Sequence, residues 1–268
     1  MTAILKLSDT LVRVNILGVG VHVVNMGSAV DVLLRAVRQG GRGYVCVTGM
    51  HGIMESLHDT ALRRIHNRSL LTVPDGMPNV WIGRMHGFHE MGRVYGPDLM
   101  MKLCEATATP TDTERPTHFF YGATPSVLEK MTTNLQQRFP GLRVVGVYAP
   151  PFRPLNEQEI NQLQQQVAAA RPDFFWVGLS TPKQEHFMAA FADRLETKVM
   201  LGVGAAFDLH AGLTRETAAW MKKSGLQWLD RLCQEPRRLW RRYLFNIPRF
   251  AVLAGLQLVG LRRFSMDT

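Results

Sequence analysis

Short apolar runs rich in β-branched and aromatic residues alternate along this chain with longer stretches whose apolar positions recur every three to four residues. Runs of the first kind read as strands and stretches of the second kind as amphipathic helices. On that reading strands lie at 12–17, 44–48, 70–73, 118–121, 143–148, 174–179 and 199–203. Helices lie at 28–39, 53–67, 99–108, 126–139, 156–170 and 182–191. The strands are apolar almost throughout rather than alternating, as in sheets buried on both faces, so the series predicts an α/β fold: a mainly parallel sheet covered by helices on both sides.

Beyond residue 212 the pattern changes. Leu226, Leu229 and Leu232, then Leu239, Trp240, Tyr243 and Leu244, recur at near-helical spacing, with Pro236 and Pro248 expected to break the stretch into short segments. The chain therefore divides into an α/β domain over 1–212 and a helical appendage over 213–268. Residues 226–263 carry eight arginines against Asp230 and Glu235, so this stretch supplies +6 of the net +9. A local basic block points to phosphates of lipid, nucleotide or nucleic acid; a solvated helix face is the plain alternative. The interleaved Trp and Tyr residues fit an interfacial belt at least as well as base stacking. An anionic membrane surface is the expected partner and nucleic acid is not. The apolar run at 250–261 is interrupted by Gln257 and falls short of the roughly 20 residues a spanning helix needs, so the chain should lie on a membrane without crossing it. No charged leader precedes a long apolar run, and three cysteines without CxxC spacing support neither a disulfide framework nor a zinc site, which suits a reducing compartment.

In sheets of this kind ligands bind beyond the carboxyl ends of the strands. Four such turns carry polar groups: Thr48, Gly49 and His51; Asp75 and Gly76; residues 180–185; and Phe207 with Asp208. A carboxylate at a strand end beside a flexible glycine could take a proton from a substrate hydroxyl, which makes Asp75 a candidate general base, although Pro-Asp-Gly is also an ordinary turn. Gln184 could bond a sugar or uracil edge, or simply sit in the first turn of a helix opened by Pro182, whose free N–H groups suit a phosphate. Asp208 could equally contact substrate or tie its own loop. The Gly-Val-Gly runs at 18–20 and 202–204 each lack the third glycine of a dinucleotide fingerprint, giving a nucleotide-cofactor oxidoreductase little support. His22 and His118 read as structural. With no HExxH and no Asp-x-Asp, neither metal nor cofactor is expected.

The succession VTGMHGIMES, VPDGMPNVW, RVYGPDL, FYGATPSVLEK, RFPGLRVVG, FFWVGLSTPKQE, GVGAAFDLHAG and GLQWLDRLCQEPRRLWRRYL resembles the WecG/TagA/CpsF family of bacterial glycosyltransferases over about residues 17–250. The resemblance implies a Rossmann-like domain with a membrane-binding C-terminal appendage. It also implies an inverting, metal-independent enzyme at the cytoplasmic face of the inner membrane, moving a sugar from a UDP-sugar to a polyprenyl-pyrophosphate-linked acceptor. Carried across, the base falls on Asp75, followed by Gly76, the strand-end Thr on Thr48, an Arg on Arg93 and the PKQE Gln on Gln184. The appendage arginines, for pyrophosphate or membrane, fall on Arg231, Arg238 and Arg241. Many members carry an Asn shortly after the Thr, where this chain has Met50 and His51. That departure, with PDGMP and the segment APPFRPL, looks closer to members acting in exopolysaccharide assembly with a hexose donor, UDP-glucose first. A UDP-N-acetylmannosamine or uronic-acid transferase of the same family is the alternative, and self-association stays open.

Overall fold

The computed structural model describes residues 11–109 and 115–266. An antiparallel hairpin of β1 (Arg13–Ile16) and β2 (Val19–His22) precedes a six-stranded sheet. The sheet comprises β3 (Gly43–Thr48), β4 (Leu71–Pro74), β5 (Thr117–Gly122), β6 (Arg143–Tyr148), β7 (Phe174–Gly178) and β8 (Val199–Gly202), in the spatial order β4-β3-β8-β7-β5-β6. Every pairing within it is parallel. The first helices in chain order are α1 (Met26–Arg38), α2 (Met50–Ser56), α3 (Thr60–Arg68), α4 (Met77–Met85), α5 (Gly96–Ala108) and α6 (Pro125–Arg138). After them come α7 (Glu157–Ala170), α8 (Lys183–Phe191), α9 (Ala206–His210), α10 (Ala219–Lys223), α11 (Gln227–Gln234) and α12 (Pro236–Leu258).

Successive residues of a strand point to opposite faces, and the two cores follow from that. Val45, Val47, Phe120 and Trp176 meet α1, α5 and α6 on one side. Cys46, Phe119, Phe175 and Val177 meet α7 and α8 on the other. His118 is buried in this packing, bonded to the Trp176 indole at 3.0 Å and the Thr107 hydroxyl at 2.8 Å, and burial lowers its pKa to about 3. His22 is likewise buried and held neutral, with its pKa lowered to about 3 by burial and by Arg13. Both histidines are structural, as their sequence setting implies.

Three expectations change. The helix expected over 53–67 is two helices: the first ends at Ser56 with Leu57 as its C-cap, and Asp59 caps the second, accepting the Leu62 N–H at 2.9 Å. The strand expected at 12–17 is one arm of a hairpin whose corner is Leu17-Gly18, both at positive φ (52° and 91°), as a two-residue turn of the I′ kind requires. The first Gly-Val-Gly is thus a hairpin corner. Pro248, expected as a break, lies inside the continuous helix α12, whereas Pro236 opens that helix as expected.

The end of α12 is tied to the hairpin. Gln257 accepts the Leu17 N–H at 2.9 Å and donates to the Asn15 carbonyl at 2.8 Å, while Asn15 donates to the Phe264 carbonyl at 2.6 Å. Phe250, Leu253 and Ala254 of α12 share a buried cluster with Ile16 of the hairpin, Ile53 of α2 and Ile82 of α4. The boundary expected between 212 and 213 falls between α9 and α10. Among the described residues no helix is long and apolar enough to cross a membrane.

Candidate active site

The carboxyl ends of the adjacent strands β3 and β4 form the floor of a cavity of about 560 Å³. Register sets Thr48 beside Pro74, so the next residues, Gly49 and Asp75, emerge together. Asp75 is pinned at several atoms: its N–H donates to the Thr48 carbonyl at 3.1 Å, and its Oδ1 accepts the Gly96 N–H at 3.2 Å. Arg93 Nε donates to its carbonyl. Burial pushes the Asp75 carboxyl above the usual aspartate range, opposed by the Arg93 guanidinium, the Gly96 N–H and Arg231. A carboxylate that is fixed, partly desolvated and countered by two cations has the features of a general base.

The remaining walls come from distant parts of the chain. Arg93 lies 4.5 Å over the Tyr95 ring and donates to the Lys222 carbonyl at 3.3 Å and to the Gln227 side chain, which joins the β4 end to α10 and α11. Gly225, at φ 77°, brings the link between those helices onto Trp81, where an added Cβ would come within 2.9 Å of the indole. Arg231 of α11 lines the cavity beside Gln227 and Trp228. One side is apolar, formed by Trp81, Ile82 and Met85 from the core and Ile247, Phe250 and Ala254 from α12.

Of the residues singled out from the sequence, Asp75, Gly76, Arg93, His51 and Arg231 line this cavity. His51 also faces Glu55, with Nδ1 to Oε1 at 3.6 Å. Thr48 is buried just beneath the floor, and its hydroxyl has no hydrogen-bond partner within the protein. Gln184 is buried away from the cavity: it accepts the Gly204 N–H at 3.0 Å and donates to Glu185 at 3.0 Å, so both ends of its amide are engaged. The Gly204 N–H is thereby occupied as well, which leaves the second Gly-Val-Gly a structural corner. Asp208 lies in α9, outside the cavity lining. Arg241 is exposed, 5.2 Å over the Trp240 ring, and the Arg238 side chain lies outside the described residues. Thr181, within the 180–185 turn, lines the cavity too, whereas sequence reasoning did not single out Tyr95, Trp81, Gln227 or Asn79. Asn79 donates to the Thr48 carbonyl at 2.8 Å and keeps a buried oxygen without a protein partner. All four stand within the quoted blocks, but only the folded chain shows that Tyr95, Trp81 and Gln227 line the cavity while Asn79 lies beneath it.

The family model described as "Glycosyl transferase WecG/TagA/CpsF family" matches residues 14–264. An N-acetylglucosaminyldiphosphoundecaprenol N-acetyl-beta-D-mannosaminyltransferase of Bacillus spizizenii W23 is 26% identical over 196 residues, covering 73% of this chain and 72% of that protein. The protein of the same description from Bacillus subtilis 168 is 27% identical over 180 residues, 67% of this chain and 66% of its own length. A Staphylococcus aureus MW2 protein so described is 28% identical over 132 residues, 49% of each chain.

Proposed function

The chain belongs to the WecG/TagA/CpsF family and is a glycosyltransferase, and on that premise we propose that it moves N-acetylmannosamine from UDP to a sugar carried on a polyprenyl diphosphate. The observation that carries this reading is the pinned Asp75 carboxyl at the cavity floor, facing two arginines and an apolar wall. An acceptor hydroxyl attacks the anomeric carbon while its proton passes to the Asp75 carboxylate. The bond to UDP breaks on the opposite face, inverting the centre. Arg93 and Arg231 meet the negative charge that develops on the leaving diphosphate. The buried Thr48 hydroxyl and Asn79 oxygen, both lacking protein partners, suit polar groups of the donor, because a buried polar atom left unpaired costs about 1–3 kcal/mol. The apolar wall between α4 and α12 suits the first isoprene units of the acceptor.

The donor sugar follows the relatives. The three relatives all carry N-acetyl-beta-D-mannosaminyl in their descriptions. The glucose expected from the Met50-His51 departure has no such support, so N-acetylmannosamine replaces it as the preferred donor. The same descriptions name N-acetylglucosaminyl diphosphoundecaprenol, which makes an N-acetylglucosamine-capped prenyl diphosphate the preferred acceptor. Residues 213–268 act as an appendage that completes the site and rests on the inner face of the membrane. Trp220, Trp240, Leu244 and Phe245 are exposed there among arginines, as an interfacial helix requires. Incubation of the full chain with a short-chain prenyl-diphosphate N-acetylglucosamine and a panel of UDP-sugars tests this. Product should form with UDP-N-acetylmannosamine, and product from UDP-glucose alone would reject the donor assignment.

A further inference from the structure

The hydrogen bonds behind the loop that follows β7 fix the polarity of one hydroxyl in the catalytic cavity. A backbone N–H can only donate, so the Gly204 N–H, 3.0 Å from the Gln184 amide, identifies the atom facing it as the oxygen. The Gln184 NH2 group therefore points at Glu185, whose Oε1 accepts it at 3.0 Å. The same Oε1 lies 2.9 Å from the Thr181 hydroxyl, which donates its one proton there. Glu185 is fully buried in the first turn of α8, and burial pushes its carboxyl above the usual glutamate range. Its Oε1 is an acceptor in either protonation state, because Oε2 has no protein partner and is the oxygen left to carry a proton. With its own proton committed, Thr181 presents only lone pairs to the cavity it lines. Such an oxygen repels a diphosphate, which offers acceptors alone, and suits a hydroxyl or an amide N–H. Position then selects among the groups of the donor. Thr181 follows β7, yet it lines the same cavity as Gly49 and Asp75 from the ends of β3 and β4. A Cβ added at Gly49 would lie 3.7 Å from Asp75 Oδ2, so the bare glycine keeps open the space beside the base. The reacting sugar sits over Asp75, and its diphosphate is drawn to Arg93 and Arg231.

We propose that Thr181 determines donor specificity: its hydroxyl, oriented by Glu185, accepts a hydrogen bond from a hydroxyl or amide N–H of the transferred sugar. Glu185 is a positioning residue that acts through Thr181 and does not touch the substrate. The inference rests on the reading of the cavity as the UDP-sugar site, and binding measured apart from transfer separates the two.

The full chain is titrated calorimetrically with UDP and with UDP-N-acetylmannosamine, and KM is measured separately for donor and for acceptor. Each variant is checked for an unchanged melting curve. Thr181→Val keeps the shape of the side chain and removes the hydroxyl. It should weaken UDP-N-acetylmannosamine about tenfold, the scale of one sugar group left unpaired, with little change for UDP alone. Donor KM should rise in step while acceptor KM holds, and Thr181→Ser should recover most of the loss. Glu185→Met, which offers no acceptor oxygen, should also weaken the UDP-sugar, and Glu185→Gln, which keeps one, should recover most of that loss. Unchanged UDP-sugar affinity in Thr181→Val would overturn the contact. Equal weakening of UDP would place the contact on the nucleotide, and a raised acceptor KM would place it on the acceptor; either result overturns the sugar assignment. UDP-sugar affinity equal to the parent's in Glu185→Met would remove Glu185 as the positioning residue. If the parent transfers a different sugar, the same variants are compared on that UDP-sugar, so the N-acetylmannosamine assignment can fail while the Thr181 contact stands.

Discussion

At Asp75, burial raises the carboxyl pKa while Arg93, the Gly96 N–H and Arg231 lower it. A base works only when ionised, so kcat/KM should fall as pH drops through that raised pKa, on an acidic limb lying above the ordinary aspartate value of about 3.9. Arg231→Gln removes one of the lowering influences. Its limb should therefore move to higher pH, in addition to any loss in rate, and a profile that stays in place or moves down would separate Arg231 from Asp75. The site was legible in part at this scale. Asp75, Arg93 and Arg231 stand in recognisable blocks and do line the cavity. Gln184 also stands in such a block, but its amide is spent on Gly204 and Glu185, an engagement that depends on β8 packing over α8 and leaves no local trace in the sequence.

Among the elements, the parallel strands were readable because strands buried on both faces must be apolar without alternation. The hairpin partner Val19–His22 was not, since Val-Gly-Val-His is too short and mixed to carry a period. The continuity of α12 through Pro248 was also hidden, because the packing of Phe250 and Leu253 that outweighs the proline is long-range. The clasp between α12 and the hairpin gives a direct test. Gln257→Ala leaves the Leu17 N–H and the Asn15 carbonyl without their side-chain partner. Losing such hydrogen bonds should lower stability by about 1–3 kcal/mol, read from the urea midpoint. A midpoint equal to the parent's would mean that the clasp does not hold the helix.

For the whole molecule, the appendage is both part of the core and part of the site. Phe250 and Leu253 are buried against the hairpin, α2 and α4, and fully burying each such side chain contributes roughly 1.5–3 kcal/mol. Ending the chain at residue 225 should therefore cost about 3 kcal/mol or more of stability and expose an apolar surface that aggregates. A truncated chain that unfolds at the parent's urea concentration would show the appendage to be merely attached. The cations beside the Asp75 carboxyl are guanidiniums, so transfer should continue at an unchanged rate in EDTA. A loss restored by magnesium or manganese would contradict that electrostatic assignment.

The most direct test of the account is single-turnover transfer from UDP-N-acetylmannosamine to a prenyl-diphosphate N-acetylglucosamine, comparing the parent with Asp75→Asn. With folding and UDP affinity retained, the rate should fall by about 10²-fold or more, the scale of a positioned base. A rate within a few-fold of the parent's would contradict the central claim that Asp75 drives glycosyl transfer in this cavity.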